Sequence, residues 1–301
     1  MQRYYGKLLL FGEHTILKGS RALAMPLSHV EGHWAYTPDA IPPHLNLENF
    51  LSYLQKHSDK GELTAGLQLS AFEREVNKGM YFESSIPVGY GAGSSGALCA
   101  AVYERFAFRP IHRDDEAHYV LLKRQLAQIE SFFHGSSSGA DPLICYLGQA
   151  VLLFPDGHAQ RVHPPKPRAE GRFFLLDTGI SRKTGPLVER FLEKSETPLF
   201  RRSALPALLP ATQAAIDAYL EADGHNIMAA TARISGLQLQ YLPELIPSPF
   251  EKAWQAGLES SGAYALKLCG AGGGGFILGY TLDAEKANSL LAPLTPVYLS
   301  I

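Results

Sequence analysis

The chain has 301 residues, of which 46% are hydrophobic and 19% are charged, a composition typical of one large or two ordinary globular domains. Its formal net charge of −2 gives no reason to expect nucleic acid or an anionic membrane as a partner. No apolar run reaches the roughly 18 residues of a membrane helix, and Leu8–Phe11 is too short for a signal peptide. The three separated cysteines imply no disulfide framework. These observations predict a cytoplasmic protein.

Strands are predicted at four places in the first third of the chain: Tyr5–Phe11, Ala22–Ala24, His33–Tyr36 and Met80–Ser84. A helix is expected at Leu45–His57, and a second at Ser94–Phe106, opened by the hydroxyls of Ser94 and Ser95. A longer helix should run from Asp114, as its N-cap, to Phe133. Its apolar residues recur at intervals of three to five: Val120, Leu121, Leu126, Ile129 and Phe133.

The second half begins with predicted strands at Ala150–Phe154 and Phe173–Asp177. The proline-rich stretch Pro155–Gly171 between them is the predicted connection between two domains, at 1–165 and 166–301. The rest is mainly helical until the strands Tyr264–Leu268 and Phe276–Tyr280. Because strands and helices do not alternate strictly, the predicted fold class is α+β.

A glycine-rich segment, Pro87-Val-Gly-Tyr-Gly-Ala-Gly-Ser-Ser-Gly96, lies between a predicted strand and a predicted helix. Glycines let the main chain approach phosphate oxygens, and the free N–H groups of a helix start point at the charge. The segment therefore predicts a phosphate site, and the alternative is a glycine-rich turn without a ligand. The predicted ATP- or phosphate-binding residues are Gly89, Gly91, Ala92, Gly93, Ser94, Ser95 and Gly96.

A nicotinamide-dependent dehydrogenase is a second interpretation of the same segment. Gly91–Gly96 matches the dinucleotide pattern G-x-G-x-x-G, and Asp114 and Asp115 follow at about the distance of a ribose contact. Against it, the acidic pair is predicted to open a helix rather than end a strand. The P-loop pattern G-x-x-x-x-G-K-[ST] is absent from the chain.

Two further motifs flank this segment in the chain. Gly6-Lys-Leu-Leu-Leu-Phe-Gly-Glu-His14 precedes it, and Lys267-Leu-Cys-Gly-Ala-Gly-Gly-Gly-Gly275 follows it. In this order the three motifs resemble those of the GHMP kinases, from residue 6 to about residue 280. Ala92 replaces the family's usual leucine, and Gly96 replaces an alanine. The resemblance implies an ATP-dependent small-molecule kinase with two α+β domains. The N-terminal domain would carry the phosphate loop, the C-terminal domain would be ferredoxin-like, and its glycine-rich loop would pack against the phosphate loop.

The segment Glu130-Ser-Phe-Phe-His-Gly-Ser-Ser-Ser-Gly-Ala-Asp141 is similar to the mevalonate kinase branch of this family, and Asp177–Thr184 is similar to its substrate-side loop. The resemblance implies phosphorylation of the primary hydroxyl of mevalonate, in isoprenoid precursor synthesis. Phosphomevalonate, a sugar or homoserine stays open as the acceptor, as does a catalytically silent binding protein. A homodimer also stays open.

By this resemblance, Asp141 accepts or orients the proton of the acceptor hydroxyl, and Lys7 keeps that carboxylate ionised. Glu130 and Ser95 would hold Mg²⁺, which prefers oxygen ligands. Each residue also has a structural interpretation: Lys7 as a surface lysine, Glu130 as a solvated carboxylate and Asp141 as a helix cap.

The acceptor side has a longer set of candidates, which rest on the resemblance and on loop position: Glu13, His14, Ser181, Thr184, Gly272 and Gly273. A cation for the acceptor's carboxylate is not chosen by the sequence. The adjacent pairs Lys123, Arg124 and Arg201, Arg202 point in different directions on a helix, so at least one of each pair faces solvent.

Overall fold

The computed structural model describes residues 2–37, 39, 41, 46–165, 170–260 and 262–301. These residues form nine strands and ten α-helices. The strands are β1 Tyr4–Phe11, β2 Ala22–Tyr36, β3 Met80–Ser84, β4 Ala150–Leu153, β5 Ala159–Val162, β6 Arg172–Asp177, β7 Ala265–Leu268, β8 Phe276–Thr281 and β9 Val297–Tyr298. The helices are α1 Glu48–Asp59, α2 Leu69–Asn77, α3 Ser94–Phe106, α4 Tyr119–His134, α5 Ala140–Leu147, α6 Thr184–Ser195, α7 Leu205–Leu220, α8 Gly224–Tyr241, α9 Glu251–Glu259 and α10 Ala284–Leu291. The mixture confirms the α+β class.

The first sheet has the order β1-β2-β4-β5, with β3 also paired to β2. Its longest member, β2, is one strand of 15 residues, so the prediction of separate strands at Ala22–Ala24 and His33–Tyr36 was wrong. Pro26, which has no N–H, lies in this strand opposite Lys7. The N–H of Lys7 donates to the carbonyl oxygen of Ala92 at 2.8 Å rather than to Pro26, as expected of a non-hydrogen-bonded pair, in which neither N–H faces the partner strand. On the other edge of β2, β4 pairs with residues 22–24 and β3 with residues 32–36, so Pro26 interrupts neither ladder. The predicted helix at Leu45–His57 begins at Glu48, and Leu45 lies outside the described residues.

The helix predicted from Asp114 to Phe133 begins later, and only Leu126 and Ile129 of its predicted apolar positions are buried. A short 3₁₀ turn, Glu116–His118, precedes α4, and Asp114 does not cap it. Instead Asp114 pairs with Arg161 of β5. The buried face of α4 consists of Tyr119, Leu122, Leu126, Ile129 and Glu130. The predicted core residues Val120, Leu121 and Phe133 are largely exposed.

The predicted connection Pro155–Gly171 contains a strand that the sequence analysis missed. Phe154 and His158 close a tight turn over Asp156 and Gly157, and β5 returns along β4. Asp-Gly is a common hairpin signal. Residues 166–169 lie outside the described part of the chain, so the domain boundary at 165 and 166 stays a prediction.

The second sheet has the order β7-β8-β6-β9, and its pairs are antiparallel. The chain order is β6, helices α6–α9, β7, β8, α10 and β9, which is the β-α-β-β-α-β arrangement of ferredoxin-like folds. The resemblance therefore predicted this topology correctly, although β9 was missed.

The two sheets share part of one apolar core. Leu10 and Leu23 of the first sheet belong to the same buried cluster as Leu278 of the second sheet and Ile216 of α7. This common core holds the end of β1 close to β7 and β8, which positions the loops described below. Within the described ranges, no helix has the length and apolar character needed to cross a bilayer.

Candidate active site

The phosphate loop, residues 87–95, connects β3 to α3. Gly89, Gly91 and Gly93 have φ angles of 79°, 68° and 83°, which glycine adopts at little steric cost. The N–H of Lys7 fixes the loop to β1 through Ala92. A Cβ at Gly93 would lie 2.7 Å from Cγ of Lys7, so the loop lies directly against β1. The first N–H groups of α3 have no helical acceptor, which makes this end of the helix a suitable place for phosphate oxygens.

The hydroxyls of Ser94 and Ser95 do not cap α3, contrary to the prediction. Gly93 is the N-cap, and no side chain completes the cap. Both serines lie inside the first turn, where a hydroxyl cannot reach the orphan N–H groups in the way an N-cap side chain does. Ser95 Oγ instead donates to Oε1 of Glu130 at 3.1 Å and lies 3.1 Å from Nε2 of His134.

Lys7 and Asp141 form an ion pair, with Nζ and Oδ1 2.9 Å apart. The Lys7 side chain is 9% exposed and that of Asp141 is 39% exposed, so the carboxylate is open to solvent while the ammonium is covered. Burial alone would lower the pKa of Lys7. The charge of Asp141 and its hydrogen bond together outweigh that effect, so the pKa of Lys7 lies above its ordinary value and the lysine stays protonated.

The position of Asp141 depends on close packing between α3 and α5. A Cβ at Gly96 would lie 2.9 Å from the carbonyl carbon of Asp141. The family's alanine at this position therefore does not fit this chain without a backbone shift. Asp141 is the second residue of α5, and Gly139 is the N-cap. The structural interpretation of Asp141 as a helix cap was wrong.

Glu130 is a buried carboxylate, 4% exposed, on α4. Its oxygens accept hydrogen bonds from Ser95 and Ser137. Burial, followed by the negative charge of Asp141, raises the pKa of Glu130 to about 7, against the lowering effect of the two serines and Lys7. The structural interpretation of Glu130 as a solvated carboxylate was therefore wrong.

A cation would relieve the burial of this charge. Carboxylate and hydroxyl oxygens suit Mg²⁺, which is usually bound by one or two protein ligands together with phosphate oxygens. Among the described residues, no group of three or more histidine, cysteine, aspartate or glutamate side chains forms a complete metal cage. Glu130 and Ser95 supply a carboxylate and a hydroxyl side by side, the kind of oxygen ligands that Mg²⁺ takes.

Residues 177–184, the segment similar to the family's substrate-side loop and here called the acceptor-side loop, contact both glycine-rich loops. The N–H of Arg182 donates to the carbonyl oxygen of Gly89 at 2.9 Å. Thr178 donates from its N–H and its hydroxyl to the carbonyl oxygen of Gly275, at 3.0 and 2.7 Å. Gly275 belongs to the third loop, residues 270–275, and a Cβ there would lie 2.5 Å from the carbonyl oxygen of Tyr90. The third loop thus packs against the phosphate loop, as the resemblance implied.

The sequence analysis singled out Ser181 and Thr184 in this loop but missed Arg182. Both hydroxyl residues are exposed, and Thr184 accepts a hydrogen bond from the Arg182 guanidinium at 2.6 Å. Burial lowers the pKa of Arg182, while the negative charge of Asp141 acts in the other direction. Its Nε is buried without a hydrogen-bond partner among the described residues. Its position between Ser181 and Thr184 was the feature of the sequence that could have identified Arg182 as a site residue.

His14 follows β1 in a left-handed conformation with φ 63°. Its ring is buried and stacks on Phe191 of α6, with the centroids 4.6 Å apart. Burial lowers the pKa of His14 to about 4, with the backbone of Ala271 acting weakly against it, so the imidazole is neutral near pH 7. Within the described chain, neither ring nitrogen has a hydrogen-bond partner of good geometry. Because both nitrogens are buried, a role for His14 in acceptor binding stays a prediction.

Glu13 lies in a buried cluster of polar side chains. One carboxylate oxygen lies 2.8 Å from Nζ of Lys267, and the other accepts from Gln238 at 2.7 Å. All three side chains are buried. Burial raises the pKa of Glu13, although Lys267 and Gln238 oppose the change. Both oxygens thus have protein partners, and a role for Glu13 in acceptor binding stays a prediction.

Gly272 and Gly273 lie in the third loop at φ 78° and 72°. The N–H of Gly273 donates to the carbonyl oxygen of Leu245 at 2.6 Å, and a Cβ on Gly273 would lie 2.9 Å from Leu187 of α6. These glycines allow the loop to pack on its own half of the molecule. Their contact with a substrate also stays a prediction.

The dehydrogenase interpretation was wrong. The dinucleotide pattern functions within a parallel β-α-β unit, whereas the strand pairs in the described residues are antiparallel. Asp114 pairs with Arg161, and Asp115 pairs with His118. Neither lies at the end of a strand beside the glycine-rich loop.

Comparison with known proteins agrees with this geometry. Residues 53–149 match the family model of the GHMP kinases N terminal domain. Mevalonate kinase of Archaeoglobus fulgidus is 29% identical over 96% of this chain and 95% of its own length, and that of Thermococcus onnurineus is 25% identical over 96% and 90%. Among solved structures, L. major mevalonate kinase in complex with R-mevalonate has a TM-score of 0.60 at 18% identity, covering 96% of this chain and 89% of its own. Streptococcus pneumoniae phosphomevalonate kinase in complex with phosphomevalonate and AMPPNP has a TM-score of 0.67 at 14% identity, covering 99% of both chains.

Proposed function

We propose that this chain, which belongs to the GHMP kinases, transfers the γ-phosphate of ATP to the primary hydroxyl of mevalonate. The chain is an ATP-dependent small-molecule kinase, and the curated relatives support mevalonate as its acceptor. The observation that carries the proposal is the ion pair between Lys7 and Asp141. It lies where β1, the phosphate loop and α5 meet.

Asp141 is the proposed catalytic base. Its carboxylate is partly exposed to solvent and accepts the proton of the acceptor hydroxyl as that oxygen bonds to the γ-phosphorus and the bond from phosphorus to the leaving ADP breaks. Because the transition state of phosphoryl transfer is loose, orientation of the hydroxyl contributes together with proton removal. Lys7 donates to Asp141 and keeps a positive charge beside the attacking oxygen. Proton transfer of this kind typically contributes about 10²- to 10⁴-fold to the rate.

The phosphate groups are the proposed ligands of the phosphate loop and of the first turn of α3. The N–H groups of Ser94, Ser95 and Gly96 are not used by the helix, whose first bond is donated by Ala97. Glu130 and Ser95 would hold Mg²⁺ against the β- and γ-phosphates. The metal would neutralise charge on the transferred group when bound.

The acceptor carboxylate is the proposed partner of Arg182. This guanidinium lies between the phosphate loop and the third loop and has a hydroxyl, not a carboxylate, as its side-chain partner. Lys267 and Lys7 already pair with Glu13 and Asp141. One guanidinium suits an acceptor with a single carboxylate better than a phosphorylated one, which would need further cations. His14, whose imidazole is neutral near pH 7, is the proposed contact for a hydroxyl of the acceptor.

We also propose a cytoplasmic location and a place in isoprenoid precursor synthesis. Both follow from the proposed substrates, and three free cysteines are consistent with a reducing compartment. A homodimer stays a prediction.

The proposal is tested by ADP release from MgATP with mevalonate, phosphomevalonate, homoserine, galactose and buffer alone. We expect turnover with mevalonate that EDTA abolishes. Turnover with another acceptor only would keep the kinase site and reject mevalonate. If no acceptor supports turnover although MgATP binds, the silent-binder alternative gains support.

A further inference from the structure

Tyr90 lies in the middle of the phosphate loop, and its partly buried side chain packs against the apolar core of the first half of the chain and also contacts the second sheet. Its ring packs edge-on against Phe276 at the start of β8, with the centroids 5.2 Å apart. Its hydroxyl donates to Oδ1 of Asp177 at 3.0 Å. The phosphate loop thus has an aromatic and a polar contact with the second sheet, in addition to its attachment to β1.

Asp177 begins the acceptor-side loop and shapes its first turn. The same Oδ1 that accepts from Tyr90 also accepts the N–H of Gly179 at 2.8 Å. At the other end of the loop, the N–H of Arg182 donates to Gly89 at 2.9 Å. The two ends of the acceptor-side loop are therefore bonded to neighbouring residues of the phosphate loop.

The phosphate loop needs such contacts because it is rich in glycine. A loop with glycines at positions 89, 91 and 93 has many accessible conformations, and holding one of them without a ligand requires external contacts. Tyr90 and Asp177 are not in the core, so their hydrogen bond can be lost without leaving a buried polar group. A hydrogen bond of this kind shifts a local equilibrium by about two- to tenfold.

We propose that Tyr90 is a positioning residue that holds the phosphate loop and the acceptor-side loop together before either substrate binds. The nucleotide site and the acceptor site are then preorganised as one unit. Without the Tyr90–Asp177 contact, the first ligand to bind must reorder both loops. Its apparent affinity is then its intrinsic affinity multiplied by the fraction of molecules whose loops are already ordered for binding. The second ligand then meets loops that are already ordered. In its choice of acceptor, this inference rests on the proposed function.

Tyr90→Phe keeps the ring against Phe276 and removes only the hydroxyl, so it is the appropriate variant. Calorimetry would measure the binding of MgAMPPNP alone, mevalonate alone, and each in the presence of the other. Relative to wild type, we expect each ligand alone to bind about two- to tenfold more weakly. The loss should shrink towards onefold when the other ligand is saturating. Weakening of equal size in both conditions, or no weakening, would overturn the proposal.

Three controls separate this result from other causes. Tyr298→Phe removes a comparable hydroxyl bond to Asn288 in the second sheet and should leave both affinities unchanged. In an Asp177→Ala background, Tyr90→Phe should have no further effect, and an additive effect would contradict the proposed contact. Hydrogen exchange of ligand-free Tyr90→Phe should be faster than wild type in residues 87–95 and in residues 177–184. Unchanged exchange in either loop would count against the proposal. Because exchange needs no acceptor, failure of mevalonate to bind the wild type would reject only the proposed function.

Discussion

Glu130→Gln is expected to stabilise the ligand-free protein at alkaline pH while removing Mg²⁺-dependent activity. Burial raises the pKa of Glu130 from an ordinary value of 4.5 to about 7. Keeping this carboxylate charged well above its pKa therefore costs about 3 kcal/mol of folding free energy. Glutamine has a similar shape, stays neutral and can still accept the hydrogen bond from Ser95.

The sign of the pH dependence follows from the raised pKa. Between about pH 4.5 and about pH 7 the folded protein binds more protons at Glu130 than the unfolded chain does, so the unfolding free energy falls as pH rises. His14, with its pKa lowered to about 4, acts in the opposite direction below about pH 6.5. Variant and wild type must therefore be compared at each pH, because His14 contributes equally to both.

Urea unfolding followed by circular dichroism measures this difference directly. We expect the gain in unfolding free energy from Glu130→Gln to be about 2 kcal/mol larger at about pH 8 than at about pH 5. Glu196→Gln is the matched control, because ion pairs lower the pKa of this exposed carboxyl, and it should give no gain at pH 8. Saturating MgAMPPNP should raise the melting temperature of the wild type more than that of Glu130→Gln. Equal gains for Glu130→Gln at both pH values would refute the reasoning.

Three further substitutions test other parts of the site. Lys7→Met should lower kcat by about 10²- to 10³-fold in steady-state kinetics, because the charge beside Asp141 is lost, and a smaller change would contradict its role. Arg182→Lys should raise the KM for mevalonate by about tenfold and leave the KM for ATP unchanged. An equal rise in both KM values would contradict binding of the acceptor carboxylate by this guanidinium. Gly96→Ala should lower kcat and destabilise the fold by about 1–3 kcal/mol in urea unfolding, because α5 must shift. Its control, Gly236→Ala, has open space around the added methyl group and should stabilise α8 by about 0.5–1 kcal/mol.

The parts of the fold that could be predicted from the sequence are those with strong local signals. The glycine pattern placed the phosphate loop between β3 and α3, and apolar runs located β7 and β8 on either side of the third loop. The length of β2 could not be predicted, because its continuity depends on pairing with β1, β3 and β4, which lie elsewhere in the chain. Likewise, the start of α4 depends on Arg161, which binds the acidic residues before the helix.

In the candidate site, too, residues within recognisable motifs could be predicted, whereas contacts between distant parts of the chain could not. The resemblance named Lys7 and Asp141 together, and the structure joins them. The buried pair of Glu13 and Lys267 could not be foreseen, because Glu13 follows β1 in one motif and Lys267 lies in β7 in another. Arg182 was missed although it stands between the two chosen residues Ser181 and Thr184, because its position beside the phosphate loop and the third loop appears only in the folded chain.

The most direct test of the central claim is ³¹P NMR of the reaction of MgATP with mevalonate, using wild type and Asp141→Asn. We predict that the wild type converts the γ-phosphate resonance into a phosphomonoester coupled to the protons of one CH₂ group, which identifies the primary hydroxyl as the acceptor. Asp141→Asn should form the same product about 10²- to 10⁴-fold more slowly. An equal rate for the variant, or a phosphomonoester at another carbon, would contradict the account.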